Sequence, residues 1–177
     1  MGGTEFRTSE KKQYVQSVAF AVYKKEVFEK AGLLDEQLIR NQDDEFHYRL
    51  NAMGFRILMV PELRCIYFVR DSITKLFSQY LQYGYYKPIV LKKVKTGLRI
   101  RHLIPAIFVL YIITLPLTVL ITLWFLPLAV YTIGDIFFSF RNLNRVRVKI
   151  ISLLVFPVLH ISYGLGFLAG ILKLFNR

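Results

Sequence analysis

From Leu103 to Phe140 the chain carries a single charged residue, Asp135. Drawn as one helix, that stretch would be roughly 57 Å long, nearly twice the hydrocarbon thickness of a bilayer. A soluble core cannot absorb it. Of the 177 residues, 54% are hydrophobic, and the mean hydropathy is +0.40, more apolar surface than a domain of this size buries. Lipid must therefore solvate part of the molecule. Two spans, 103–121 and 124–140, fit better than one, with a break near residues 122–127 favoured by the Leu126-Pro127 step, because the residue before a proline is driven out of the helical region. Trp124 is then expected at a membrane interface. A third apolar segment, 150–172, holds Pro157 and the small residues Gly164, Gly166, Ala169 and Gly170, which let a neighbouring helix come close.

Ahead of residue 103 the composition reverses, with 18 of the 24 Lys and Arg and 11 of the 12 acids. Lys87, Lys92, Lys93, Lys95, Arg99 and Arg101 precede the first span, and Arg141, Arg145, Arg147 and Lys149 lie between the second and third. Basic loops stay on the cytoplasmic side, so the expectation is a multi-pass cell-membrane protein whose soluble part is cytoplasmic. Three spans leave Lys173 and Arg177 on the far side, which keeps a re-entrant third segment open. Met1 is followed by polar residues rather than an apolar run, so no cleavable signal is expected. The single Cys65 allows no internal disulfide. The basic segment 87–102 has two readings, a grip on anionic lipid or a polyanion site. Its juxtamembrane place and the absence of interleaved aromatics favour anionic lipid and argue against nucleic acid.

Within the soluble part, Val15–Tyr23 is rich in β-branched and aromatic residues and reads as a strand. Lys24–Ala31 reads as a helix stopped by Gly32. Asn41 is expected to cap a helix running to about Met53, with Asp44 at its third position. Phe55–Val60 is expected as a strand ended by Pro61, and Arg64–Val69 as a second extended piece. A helix from Asp71-Ser72 carries Ile73, Leu76, Phe77, Tyr80 and Leu81 at helical spacing, a stripe that packs on a core or a bilayer.

Residues 41–50, Asn-Gln-Asp-Asp-Glu-Phe-His-Tyr-Arg-Leu, concentrate three acids at a helix start in a chain of net charge +12. Structure alone accounts for them: acids suit a helix amino terminus, and Glu45 is spaced to pair with Arg49. His47 is one turn from Asp43 and reads equally as a satisfied core or surface residue, not as half of a metal pair. His160, in an apolar span, needs a hydrogen bond or a polar cavity and is a candidate contact for a lipid acceptor.

The ordered set Gly32-Leu-Leu-Asp-Glu36, Asn41-Gln-Asp-Asp-Glu45 with Arg49-Leu50, Gly54-Phe-Arg56 and Gln79-Tyr-Leu-Gln-Tyr-Gly84 resembles the carboxyl-terminal half of membrane-bound family 2 glycosyltransferases. Exopolysaccharide enzymes of the succinoglycan type are the nearest in pattern, and their basic lead-in to the membrane is matched by Arg101-His-Leu-Ile-Pro105. The resemblance implies an α/β fold class, a partial GT-A-like (nucleotide-diphospho-sugar transferase) acceptor half over residues 1–86, followed by the juxtamembrane segment 87–102 and a transmembrane α-helical region over 103–177. It implies transfer of a sugar from a nucleotide-sugar donor to a lipid-linked saccharide or polysaccharide acceptor. The family's Glu-Asp motif falls on Gln42-Asp43, making Asp43 the catalytic base. Asp35, Glu36, Asp44, Gln79 and Tyr83 become substrate-binding candidates.

An inverting transfer needs such a carboxylate, because the acceptor hydroxyl must lose its proton as it attacks the anomeric carbon. The family usually has Glu where this chain has Gln42. Gln79-Tyr-Leu-Gln-Tyr83 keeps the spacing of the Gln-x-x-Arg-Trp motif of processive synthases, but with Gln82 for Arg and Tyr83 for Trp, which argues against processive synthesis. An amino-terminal nucleotide-binding half with an Asp-x-Asp metal motif is not found. Mg²⁺ or Mn²⁺ is expected for the complete enzyme, with its ligands outside this chain. The expectation is thus a fragment that contacts the donor through a missing half and does not catalyse alone. The alternative is a membrane scaffold or accessory subunit whose acids only cap a helix. Rejoining a matching nucleotide-binding half restores transfer in the first case and nothing in the second.

Overall fold

The computed structural model describes residues 11–63, 65–95, 98–118, 122–141 and 145–176. These are mostly helical, with one small sheet. They form two compact units, one of residues up to Val69 together with Tyr86–Leu98, the other of Arg70–Tyr85 with Arg99–Arg177.

In the first unit, strand β1 (Gln13–Val15) pairs antiparallel with β2 (Ile57–Met59), Tyr14 opposite Leu58. Helices α1 (Lys25–Ala31) and α2 (Gln42–Ala52) lie between them in sequence. The expected strand over Val15–Tyr23 is corrected: pairing ends at Val15, residues 16–24 are irregular, and Phe20 takes a positive φ of 58°. Strand propensity gives no strand without a partner, and β2 offers three residues. Residues 65–69 likewise form no ladder, and Arg64 lies outside the described residues. Val15, Leu38, Phe46, Leu50, Met59 and Val90 are buried. Phe28 stacks on Phe46 with centroids 5.5 Å apart, and Tyr23 meets both rings edge-on. Gly32 ends α1 as its sequence suggests: at φ 77° its N–H donates to the Phe28 carbonyl at 2.8 Å, a conformation that favours glycine.

Helix α3 (Ile73–Val94) runs unbroken through the position where a boundary was expected after residue 86. Its residues through Tyr85 belong to the second unit and the rest to the first. The Lys75 N–H bonds the Ser72 hydroxyl at 3.3 Å, closing its first turn.

The second unit adds α4 (Ile100–Thr114), α5 (Leu126–Arg141) and α6 (Val146–Phe175). Among the described residues, three stretches are long and apolar enough to cross a membrane: Ile100–Leu117, Thr122–Arg141 and Val146–Phe175. The chain is a membrane protein on this count. The expected break near Pro127 occurs as tight 3-10 turns at Leu115–Thr118 and Thr122–Phe125, while residues 119–121, part of the expected first span, lie outside the described residues. Glycines set the packing. A Cβ on Gly164 would strike the Pro105 carbonyl and Val109 of α4, one on Gly84 the Tyr163 carbonyl and the Phe167 nitrogen of α6, and one on Gly166 the Leu81 carbonyl of α3. The small residues read from the sequence thus allow backbone-to-backbone contact. Several polar groups among the described residues of this unit find partners, as a hydrocarbon surrounding demands. Tyr131 Oη lies 2.9 Å from His160 Nδ1, the Trp124 indole N–H donates to Thr114 Oγ1 at 3.1 Å, and Ser139 donates to Asp135 at 3.3 Å.

Candidate functional site

The acids collect on and beside α2. Asn41 stands at the N-cap position as expected, but in a left-handed conformation (φ 61°) and with no side-chain cap bond, so the expected side-chain cap is corrected. Asp44 instead accepts from Lys87 Nζ at 2.8 Å and from the Ser17 hydroxyl at 3.3 Å. With the Lys87 side chain 7% and that of Asp44 32% accessible, the pair is far less screened than a surface contact. Lys87 also lies 5.3 Å from the Tyr48 ring centre. The orphan amides of the first turn still favour Asp43, Asp44 and Glu45 through the helix dipole.

Glu45 is held by the expected pairing one turn on. Arg49 Nε and Nη2 donate to its two carboxylate oxygens at 3.0 and 2.9 Å. The same guanidinium donates to the carbonyls of Ala31 and Leu33, the latter at 2.9 Å, and lies over the Phe46 ring. Asp35 pairs with Lys93 and accepts the Gln37 N–H at 2.9 Å. Burial pushes the Asp35 carboxyl up, but the Lys93 hydrogen bond, the Gln37 amide and the charges of Lys93 and Arg49 outweigh it and hold the group below its ordinary value.

Asp43 is different. Its side chain is exposed, and among the described residues its carboxylate has no hydrogen bond or ion pair. Its charge is nonetheless felt by its neighbours. Burial, then Asp43, raises the Tyr23 phenol. Burial lowers His47 below its ordinary value although Asp43 and Asp44 oppose this. His47 is a satisfied core residue, with Ser17 Oγ 3.0 Å from Nδ1 and Tyr23 Oη 2.7 Å from Nε2. Glu36 is exposed on the loop between α1 and α2.

The structure therefore gathers Asp35, Glu36, Asp43 and Asp44 in one unit. Gln79 and Tyr83 belong to the other, where the Gln79 amide donates to the Tyr83 hydroxyl at 2.9 Å within α3. A cavity of about 200 Å³ beside α2 is lined by Glu45, Tyr48, Arg49, Ala52, Lys93 and Val94. At about 100° per residue its helical lining positions fall on the side of α2 away from Asp43. The acids do not fit a divalent ion. Asp35, Asp44 and Glu45 are each engaged by a cation, and no group of three His, Cys, Asp or Glu is placed to share a metal among the described residues. Lys87 and Lys93 were missed by sequence reasoning as partners of the acids. They stand 43 and 58 residues from Asp44 and Asp35, and their place in a basic juxtamembrane run concealed them.

The chain is similar to the succinoglycan biosynthesis protein ExoA of Rhizobium meliloti (strain 1021), 34% identical over 83 residues that make up 47% of this chain and 25% of that protein. It is also similar, 24% identical over 176 residues, to the dolichyl N-acetyl-alpha-D-glucosaminyl phosphate 3-beta-D-2,3-diacetamido-2,3-dideoxy-beta-D-glucuronosyltransferase of Methanococcus voltae, covering 97% of this chain and 52% of that enzyme. The chain spans a quarter of the first relative and about half of the second. No family model matches it, and no solved structure does. The resemblance to membrane-bound family 2 glycosyltransferases is carried by these two relatives.

Proposed function

We propose that this relative of membrane glycosyltransferases carries the acceptor side of an inverting sugar transfer, with Asp43 as the base. One observation supports this above the others: Asp35, Asp44 and Glu45 are neutralised by Lys93, Lys87 and Arg49, while the Asp43 carboxylate is left open to solvent. A carboxylate bound to a lysine is a poor proton acceptor, and a free one on the first turn of a packed helix is both available and held in place. The acceptor hydroxyl would approach Asp43, lose its proton as its oxygen attacks the anomeric carbon, and displace the nucleoside diphosphate from the opposite side. The donor, and the Mg²⁺ or Mn²⁺ that neutralises the leaving diphosphate, belong to a nucleotide-binding half completing a GT-A-like domain.

The acceptor is proposed to be a lipid-linked saccharide or polysaccharide, delivered at the cytoplasmic face. Exposed Lys92, Lys95, Arg99 and Arg101 support contact with anionic head groups, since Lys87 and Lys93 are turned to the acids. The deciding experiment is Asp43→Asn in the complete enzyme. Transfer should fall by about two to four orders of magnitude with donor binding intact. Unchanged turnover removes Asp43 from the mechanism, and an enzyme that transfers no sugar when joined to its nucleotide-binding half leaves the scaffold reading in its place.

A further inference from the structure

We infer that Arg49 is a positioning residue that latches the loop between α1 and α2, and with it Glu36, to the helix bearing Asp43; the inference rests on the glycosyltransferase reading above. One guanidinium reaches three structural pieces. Nε and Nη2 hold Glu45 on the first turn of α2, Nη2 also holds the Leu33 carbonyl, and Nη1 the Ala31 carbonyl at the end of α1. A lysine has no planar fork and cannot make these contacts together. The loop needs such a tie. It leaves α1 through Gly32 at φ 77°, where the left-handed turn relies on no side chain. Leu33 is 73% and Leu34 41% exposed, so no core packing holds its tip. Its other end is secured independently, because Lys93 pairs with Asp35 and donates to Gln37 Oε1 at 3.2 Å.

The loop is thus pinned at the carbonyls of residues 31 and 33 and at the carboxylate of residue 35, leaving apolar Leu33 and Leu34 and the free carboxylate of Glu36 outward. That mixture suits a saccharide, whose ring faces are apolar and whose hydroxyls donate to carboxylates. Arg49 touches no reacting atom. Its work is to fix the distance between an acceptor held by this loop and the base on α2, a separation in which an error of about 1 Å costs about a hundredfold in rate.

The test uses full-length enzyme in membranes, supplied with a panel of radiolabelled nucleotide-sugars, and measures label transferred to extractable lipid and saccharide against label released to water. Arg49→Gln should lower the ratio of transfer to hydrolysis about tenfold, with the donor KM unchanged, because the acceptor alone is misplaced. Arg49→Lys should not rescue the ratio. Lys93→Gln, which releases the loop at Asp35 and Gln37 while Leu38 stays buried, should lower it in the same direction and serves where Arg49→Gln does not accumulate. A purely structural role would reduce transfer and hydrolysis together, and a purely electrostatic one would be restored by lysine; either result overturns the inference, as does an unchanged ratio. If Asp43→Asn abolishes transfer while Arg49→Gln keeps the ratio, the latch alone fails. If wild-type enzyme consumes no donor, or Asp43→Asn is without effect, the reading beneath it fails too.

Discussion

Gly84→Ala adds one methyl group where α3 crosses α6. The new Cβ would lie 2.9 Å from the Phe167 nitrogen and 3.0 Å from the Tyr163 carbonyl carbon, and closer still to the Tyr163 carbonyl oxygen. Ordinary van der Waals approach begins near 3.4–4 Å, and all three atoms are backbone, so no rotamer change relieves the overlap. The helices must part. Forced separation in a packed interior costs about 1–3 kcal/mol, and the dispersion attraction forfeited along the seam adds to it. Against this, alanine gains about 1 kcal/mol over glycine in a helix interior. The net expectation is a loss of about 1–2 kcal/mol, a roughly five- to thirtyfold shift toward the unfolded state. Gly134→Ala is the matched control, since nothing lies within 4 Å of its Cβ, and it should be neutral or stabilising by up to about 1 kcal/mol. Thermal unfolding of both variants in lipid nanodiscs, followed by helical circular dichroism, reads the difference. The double variant Gly84→Ala/Gly166→Ala should lose less than the sum of the singles, because one separation relieves both clashes. Equal melting temperatures for Gly84→Ala and Gly134→Ala would refute the close crossing.

The Asp44–Lys87 pair should respond asymmetrically. Asp44→Asn strands an ammonium in an almost closed site and should cost about 3 kcal/mol, whereas Lys87→Met leaves a carboxylate one-third open to water and should cost about 1–2 kcal/mol; urea unfolding of the two variants settles the order. His47 supplies a pH signature. Its folded value lies below its ordinary 6.5, so the unfolded chain takes the proton first, and stability is complete above about pH 6.5 and falls as pH drops through the folded value. His47→Gln should flatten that slope, and a slope unchanged between wild type and variant assigns the titration elsewhere. Asp35, held low by Lys93, contributes stability above its ordinary carboxyl value that is lost only as pH falls through its depressed folded value. Lys93→Gln should move the acid unfolding limb to higher pH.

The sequence was most legible where the controlling forces are local. Helix α2 was expected to end at about Met53 before Gly54 and ends at Ala52, α1 stops at Gly32, and Glu45 finds Arg49 one turn away. The spans followed from hydropathy, their ends shifting by a few residues because the regular helices take in flanking charged positions, Arg101 before the first apolar run and Arg147 and Lys149 before the third. Pairing between distant residues left no such trace. Val15 and Ile57 meet across the sheet, yet nothing in the run from Val15 to Tyr23 says that its partner will be only three residues long. Asn41 has the side chain of a cap and the backbone of a left-handed turn. Lys87 illustrates the limit best: its neighbours spelled a membrane-facing basic run, and tertiary structure turned it inward to Asp44.

The three spans are unequal. Helix α6 has 30 residues, about 45 Å, whereas the 16 residues of α5 with the 3-10 turn before them reach about 32 Å. The shorter one matches the acyl region of an ordinary bilayer with nothing to spare. Longer-chain lipids would find α6 already tall enough and α5, like the 18-residue stretch Ile100–Leu117, too short, so mismatch would fall on the two shorter spans and spare the long one, making acyl chain length a lever on how Tyr131 meets His160.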